Sequence, residues 1–337
     1  MKIVRTDAKL QTPDLDAALR AMGHDLVLLP DGVDQATLIA EMANTDLLLM
    51  CYTPIPRAVI AAAARLRGIV KYGVGIDAID IPAAIEHGVP VVNIPEYAEE
   101  TVAEGAFALL IALAKKLPAL DAHMRATGWA WPEPTWLGSD IAGKTLGIVG
   151  LGKIGRSMAR MAGAGFRARV IAYSPHTTAE EMAALGVEKC DTLHEMLAQS
   201  DFVSLHCTLN DSTHHIIGKA ELRTMKSSAI LINTSRGALI DEAALLSAMT
   251  NNEIAGLGLD VYSQEPLALE NHPLSSLFSM PNVLLSPHLT FYTHDAMTRL
   301  EDDTLARCRE LLSGQPVLVK SHDPRLRAQR TGVTFPD

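Results

Sequence analysis

Cysteine is scarce in this chain and badly placed for cross-linking. Four occur in 337 residues (Cys51, Cys190, Cys207 and Cys308), with no C-x-x-C pair and no zinc spacing. That excludes the small stapled scaffolds of secreted proteins and reads as reduced thiols of an intracellular one. Long apolar runs are missing as well. The most apolar helical stretch, GAFALLIALA from Gly105 to Ala114, falls far short of a membrane span and meets Lys115-Lys116. No signal peptide is expected, because MKIVRTD enters a strand pattern directly. Positive charge is short too: 29 Lys and Arg stand against 39 Asp and Glu, a net charge of −10. The general field therefore repels nucleic acid and anionic lipid, and an anionic substrate needs a local cationic site. The histidines, including His214-His215, show no ligand spacing, so no metal is expected. These absences point to a soluble cytoplasmic protein.

What is present is an alternation of β-rich and helical segments over almost the whole length. KIVRT, DLVLLP, LLLMCY, GIVKYG and VPVVNI come first. From Thr145 onward follow TLGIVG, RVIAYS, FVSLHC, AILINT, GLGLDVY and VLLSPH. Strands that are apolar throughout and spaced by helices imply parallel sheets covered on both faces. The expected fold is α/β, with two Rossmann-like doubly wound parallel-sheet domains and a cleft between them. A Pro-containing turn near NIPEYAEE leads into a long helix from about Thr101, and a second crossing follows Ser286-Pro287-His288. Residues 1–98 plus 292–337 are expected to form a discontinuous, flavodoxin-like substrate-binding domain, and 99–291 a dinucleotide-binding domain.

Gly150-Leu151-Gly152-Lys153-Ile154-Gly155 lies between a buried strand and a helix. There Gly150 permits a tight turn, Gly152 admits a pyrophosphate, and Gly155 allows close helix–strand packing. The N–H groups around Lys153 and Ile154 face the phosphates. The acidic residue expected at the end of the second strand, where ribose hydroxyls are held, is absent: the strand ends Ser174-Pro175-His176-Thr177-Thr178. Serine removes the charge that would repel a 2′-phosphate, and His176 and the threonines offer groups to bind one. The cofactor is expected to be NAD or NADP, with the balance toward NADP.

Ligands of open α/β sheets sit beyond the carboxyl ends of the strands. Three successive strands are followed there by Arg236, Glu265 and His288. Arginine grips a carboxylate and polarises an adjacent carbonyl. Histidine gives a proton to the oxygen as hydride reaches carbon, and a paired glutamate favours the imidazolium.

GLGKIG, INTSRGALIDEAAL, GLDVYSQEP and LLSPH closely resemble, in order and spacing, the D-isomer-specific 2-hydroxyacid dehydrogenases, including their glyoxylate/hydroxypyruvate reductase-like members. IVKYGVGIDAIDIPAAIEHGVPVVNIPEYAEETVAE extends the likeness upstream. The resemblance implies reduction of a 2-keto acid to a D-2-hydroxy acid and the reverse, with Arg236 on the carboxylate and His288-Glu265 as acid/base. It further implies Asp260 at the nicotinamide carboxamide, and Thr101, Thr208, Thr234 and Ser235 beside the cofactor. Val74, Gly75 and Tyr52 are implied at the substrate, and the long helix as a homodimer element. YGVGID supports this physically, because its consecutive N–H groups can form an anion nest.

Departures bear on substrate choice. Thr290, Phe291 and Tyr292 follow the histidine, where the family commonly has small residues. Tyr52, Thr53, Trp131 and Trp136 also offer bulk. Either they line an aromatic pocket for a bulkier keto acid or they fill core or interface. A phosphoglycerate dehydrogenase is disfavoured, since the chain ends without an appended regulatory domain and no basic cluster awaits a phosphate. The alternative from another class is a dinucleotide-sensing, corepressor-like binding protein on the same fold.

Overall fold

Strands apolar at every position have to be covered on both faces, and the central strands of both sheets are of this kind. Leu47–Met50 and Ile230–Asn233 are buried at every residue. The computed structural model describes residues 1–336. In chain order the strands of the first sheet are β1 (Lys2–Arg5), β2 (Asp25–Leu28), β3 (Leu47–Met50), β4 (Ile69–Lys71) and β5 (Val91–Asn93). Those of the second are β6 (Thr145–Val149), β7 (Arg169–Tyr173), β8 (Glu188–Lys189), β9 (Phe202–Leu205), β10 (Ile230–Asn233), β11 (Gly256–Leu259) and β12 (Val283–Leu285). The helices are α1 (Pro13–Ala21), α2 (Gln35–Met42), α3 (Arg57–Ala61), α4 (Ile81–Glu86), α5 (Glu99–Ala114), α6 (Leu117–Thr127), α7 (Lys153–Arg160), α8 (Ala179–Ala184), α9 (Leu193–Gln199), α10 (Lys219–Thr224), α11 (Glu242–Thr250), α12 (His294–Ser313) and α13 (Pro324–Arg327).

The chain divides into two units: Met1–Ala98 with Thr293–Asp337, and Glu99–Tyr292. In the first, the sheet order is β2-β1-β3-β4-β5, all parallel, the doubly wound order of flavodoxin-like folds. In the second the order is β12-β11-β10-β9-β6-β7-β8, also all parallel. Order reverses between β6 and β9. That is the Rossmann switch point, and the glycine turn follows β6 there.

Two features differ from the expected elements. The long helix from about Thr101 is two helices. Pro118 cannot continue α5 without losing a hydrogen bond and clashing with the preceding turn, and the chain breaks at Lys116 (φ +53°). α5 buries one side in the second unit, whereas α6 buries no residue. The helix after the glycine turn widens to a π-turn over Met161–Gly165. The tail, which carries little pattern, forms β13 (Val317–Leu318) and β14 (Val333–Thr334) around α13. Its Gln329 side chain accepts from Val91 N–H at 2.7 Å and donates to Val91 C=O at 2.9 Å, covering the edge strand β5 of the first sheet.

Candidate active site

The glycine turn has the geometry that three different constraints impose. Gly150 sits at φ +91°, and a Cβ there would lie 2.6 Å from the Cys207 nitrogen. A Cβ on Gly155 would lie 2.3 Å from the Gly150 carbonyl oxygen, so α7 packs against the strand only because that atom is missing. At Gly152 nothing lies within 4 Å of such a Cβ, and no side chain caps α7 there. Open space therefore faces the uncapped N–H groups at the start of α7, near Lys153 and Ile154. Lys153 pairs with Glu99 at 2.9 Å. The hydroxyl of Thr234, beyond β10, is buried with no hydrogen-bond partner. A dinucleotide fits both observations: its pyrophosphate needs unpaired N–H donors, and its nicotinamide end offers groups for an orphaned hydroxyl.

Around the rest of this face, Thr101 is buried on the first turn of α5 and Thr208 is exposed beyond β9. Ser235 donates to the Cys207 carbonyl at 2.8 Å. At the end of β7, Ser174 is buried with its hydroxyl 3.0 Å from that of Thr177, and His176 is exposed. His206, which sequence reasoning passed over, hydrogen-bonds Ser204 at 2.8 Å, and burial pushes its pKa down to about 4. The ring is thus a neutral group beneath the turn at physiological pH.

The ends of β10, β11 and β12 interlock. Asn233 donates to the Arg236 carbonyl at 2.9 Å and accepts from Ser235 N–H at 3.0 Å, folding the Arg236 loop on itself. The next residue, Gly237, packs backbone to backbone on the following loop: a Cβ would lie 2.0 Å from the Tyr262 carbonyl carbon. This close approach joins the Arg236 loop to the one carrying Glu265. Glu265 accepts from Tyr262 N–H at 3.1 Å and from His288 Nδ1 at 2.9 Å. Burial pushes its carboxyl up, but the His288 bond and charge, Tyr262 N–H and Arg236 outweigh that and hold it below the usual range. The Glu265–His288 pair is one-third accessible or less on each side, shielded yet open to a small ligand.

His288 adopts φ +58°, a left-handed conformation uncommon outside glycine and asparagine. Its neighbours enforce it. Tyr262 Oη donates to the Ser286 carbonyl at 2.8 Å on one side. On the other, Asp260 accepts from Leu289 N–H at 2.9 Å, and from the N–H and hydroxyl of Thr290. Asp260 is fully buried, and both its oxygens hold the segment next to His288. Gly237→Ala is expected to lower unfolding free energy by about 2–4 kcal/mol, since neither loop can yield without breaking these ties. Urea denaturation followed by circular dichroism measures it.

In the first unit, β4 ends in Gly73-Val74-Gly75. Among the described residues the N–H groups of Val74 and Gly75 have no intramolecular acceptor, and Val74 is exposed. Asn93 anchors the Val74 carbonyl at 2.6 Å, which turns these donors outward as a pair. Tyr52 is exposed, its ring 5.4 Å from the Lys71 ammonium. Thr53, considered for pocket lining, is instead buried and donates to Asp7 at 2.8 Å. Asp7 also accepts from Cys51 and Tyr52 N–H at 2.8 and 2.9 Å. Burial would raise its pKa, but the Thr6 hydroxyl and these donors hold the carboxyl below its usual range. Neither Asp7 nor Lys71 was singled out from the sequence: Asp7 lies two residues past β1, and Lys71 is the last residue of β4.

The other bulky candidates separate. Phe291 is core, Tyr292 is exposed, Trp131 is 73% exposed beside Trp129, and Trp136 meets the His123 ring at a tilt of 51° with centroids 4.9 Å apart. No cluster of three or more His, Cys, Asp or Glu able to hold a metal occurs among the described residues, and none of their helices is long and apolar enough to cross a membrane.

A Rossmann sheet with an acid–base pair and an arginine at its carboxyl edge defines the class of dinucleotide-dependent oxidoreductases. The family profile of the D-isomer specific 2-hydroxyacid dehydrogenase NAD binding domain matches residues 107–290. The chain is 41% identical over 268 residues to a glyoxylate reductase of Korarchaeum cryptofilum, covering 79% of each. It is 38% identical to a D-3-phosphoglycerate dehydrogenase of Mycobacterium tuberculosis over 85% of this chain and 52% of that one. A solved acyclic imino acid reductase (Bsp5), in complex with NADPH and D-Arg, superposes with a TM-score of 0.83 at 29% identity, covering 94% and 99% of the two chains. The chain belongs to the D-isomer-specific 2-hydroxyacid dehydrogenase family. It is an NAD(P)-dependent oxidoreductase acting between 2-keto acids and D-2-hydroxy acids, and the likenesses favour this over the corepressor-like alternative.

Proposed function

We propose that this chain reduces a small 2-keto acid, of the size of glyoxylate or hydroxypyruvate, with Arg236 on the substrate carboxylate and His288 as proton donor. The observation that carries the reading is the 2.9 Å His288–Glu265 pair, on the strand-end loops next to the one bearing Arg236. When bound, the dinucleotide supplies hydride to the keto carbon. Arg236 fixes the carboxylate through its forked donors and draws electron density from the adjacent carbonyl. His288 Nδ1 is engaged by Glu265, so Nε2 is the atom that passes its proton to the carbonyl oxygen. Glu265, kept ionised, stabilises the imidazolium and sets the ring orientation. In the first unit, the N–H pair of Val74 and Gly75 is suited to a carboxylate, and Tyr52 is the exposed aromatic candidate for the substrate there.

The small-substrate assignment follows from where the bulk went. Thr53 is buried and tied to Asp7 and Phe291 is core, so neither offers its bulk to a pocket for a large keto acid. Initial rates with glyoxylate, hydroxypyruvate and phenylpyruvate test this. Either small acid exceeding phenylpyruvate about tenfold in kcat/KM is expected, and the reverse order refutes it.

Glu265→Gln removes the charge that favours imidazolium. Glutamine keeps a hydrogen bond to the ring but stabilises the imidazolium less, so kcat for reduction is expected to fall about tenfold or more. Initial rates at saturating keto acid measure the fall, and an unchanged kcat would remove Glu265 from the chemistry.

NADP is the favoured cofactor, because Ser174 stands where an acid would hold the ribose of NAD. The protein is a cytosolic homodimer in this reading. α6 and the segment after it leave Leu117, Met124, Trp129, Trp131 and Leu137 exposed, an apolar surface that a second copy would cover. Light scattering at a monomer mass would contradict the dimer.

A further inference from the structure

Polar groups gather on one corner of the second sheet, beyond the ends of β7 and β8. Ser174 and Thr177 face each other with hydroxyls 3.0 Å apart, both buried. Lys189, the last residue of β8, pairs in register with Ala172 of β7 and carries its ammonium to the Thr177 carbonyl at 2.9 Å. An ammonium has three protons, and this bond uses one. Arg156, on α7, donates through Nε to the Leu151 carbonyl at 3.2 Å. The carboxylate at this corner, Glu181, is turned back onto Thr178 N–H at 2.7 Å and completes the capping box of α8. Its pKa is lowered chiefly by Thr178, with the positive charges of Arg156 and Lys189 adding to the effect.

A loop with two buried hydroxyls and two cations, in the place where a dinucleotide domain holds its adenosine ribose, is built for an anion rather than for ribose hydroxyls alone. We infer that this corner binds the 2′-phosphate of NADP, with Lys189 as the principal counter-charge, the Ser174 and Thr177 hydroxyls as donors, and Arg156 as a second cation. Lys189 thus does from the neighbouring strand what an arginine in the loop itself would do. The inference rests on the second unit being the dinucleotide-binding one.

Calorimetric titration with adenosine 2′,5′-bisphosphate and with AMP isolates the 2′-phosphate, the one group by which they differ, and needs no turnover. The wild-type chain is expected to bind the bisphosphate about tenfold or more tightly than AMP, the scale of one charge-assisted contact. Lys189→Met should remove that preference and leave AMP affinity unchanged, and Lys189→Arg should restore it. Ser174→Asp should abolish the preference independently, by repulsion. Equal affinity of the wild type for the two ligands overturns the inference while leaving the dinucleotide site intact. So does parallel loss of both ligands in Lys189→Met, which would make the lysine a staple of the loop only. If neither ligand binds the wild type, the dinucleotide reading itself fails and takes the inference with it.

Discussion

Replacing His288 with asparagine is expected to lower kcat for keto-acid reduction by about 10²–10⁴-fold, the range that a positioned acid–base group contributes. Asparagine is the informative substitution because residue 288 lies at φ +58°. It tolerates the left-handed region, whereas alanine would add backbone strain to the loss of the imidazole. Asp260 and Tyr262 continue to hold the flanking backbone, so the loop keeps its course. AMP affinity should therefore be unchanged, and the melting temperature nearly so. A fall in kcat with nucleotide binding intact locates the defect in proton transfer. Retention of more than about a tenth of wild-type kcat would remove His288 from the chemistry.

Arg236→Gln carries the other large effect. The guanidinium is fixed by a bond from Nη1 to the Ser235 carbonyl at 2.6 Å, and its loop is pinned by Asn233 and Gly237. It therefore pays little ordering entropy when it meets a carboxylate. Losing a charge-assisted pair of bonds that also polarises the carbonyl should cost about 3–4 kcal/mol, or about 10²–10³ in kcat/KM. Lysine keeps the charge without the fork, so Arg236→Lys should recover only part of the loss. Pyruvate against pyruvamide separates causes. The penalty should shrink for the amide, which has no carboxylate to grip; an equal penalty for both would mean that the substitution damages the loop.

Some of this was readable from residue order alone, for an identifiable reason. Buried parallel strands give unbroken apolar runs, so their ends show sharply, and Arg236, Glu265 and His288 stand out as polar residues just past such ends. The glycine spacing is legible in the same way, because each glycine answers a local constraint. The intramolecular partners of Asp260 were not legible: it lies just past an apolar strand, but they are Leu289 and Thr290, almost thirty residues on, and only tertiary pairing brings them together. Lys189 was invisible because a two-residue strand has no periodicity and its target loop lies twelve residues earlier. The break between α5 and α6 was missed where Pro118 should have been weighed against the apolar run. Gln329 gives no local signal for closing the edge at Val91, since that bond spans 238 residues.

The central claim is that this chain delivers hydride and proton to a 2-keto acid to leave the D configuration. The most direct test incubates the protein with NADPH and hydroxypyruvate, and resolves the product on a chiral column against D- and L-glycerate. The account predicts D-glycerate alone, formed in step with NADPH oxidation and lost in His288→Asn. Formation of L-glycerate, or the same yield from the His288→Asn variant, would contradict it.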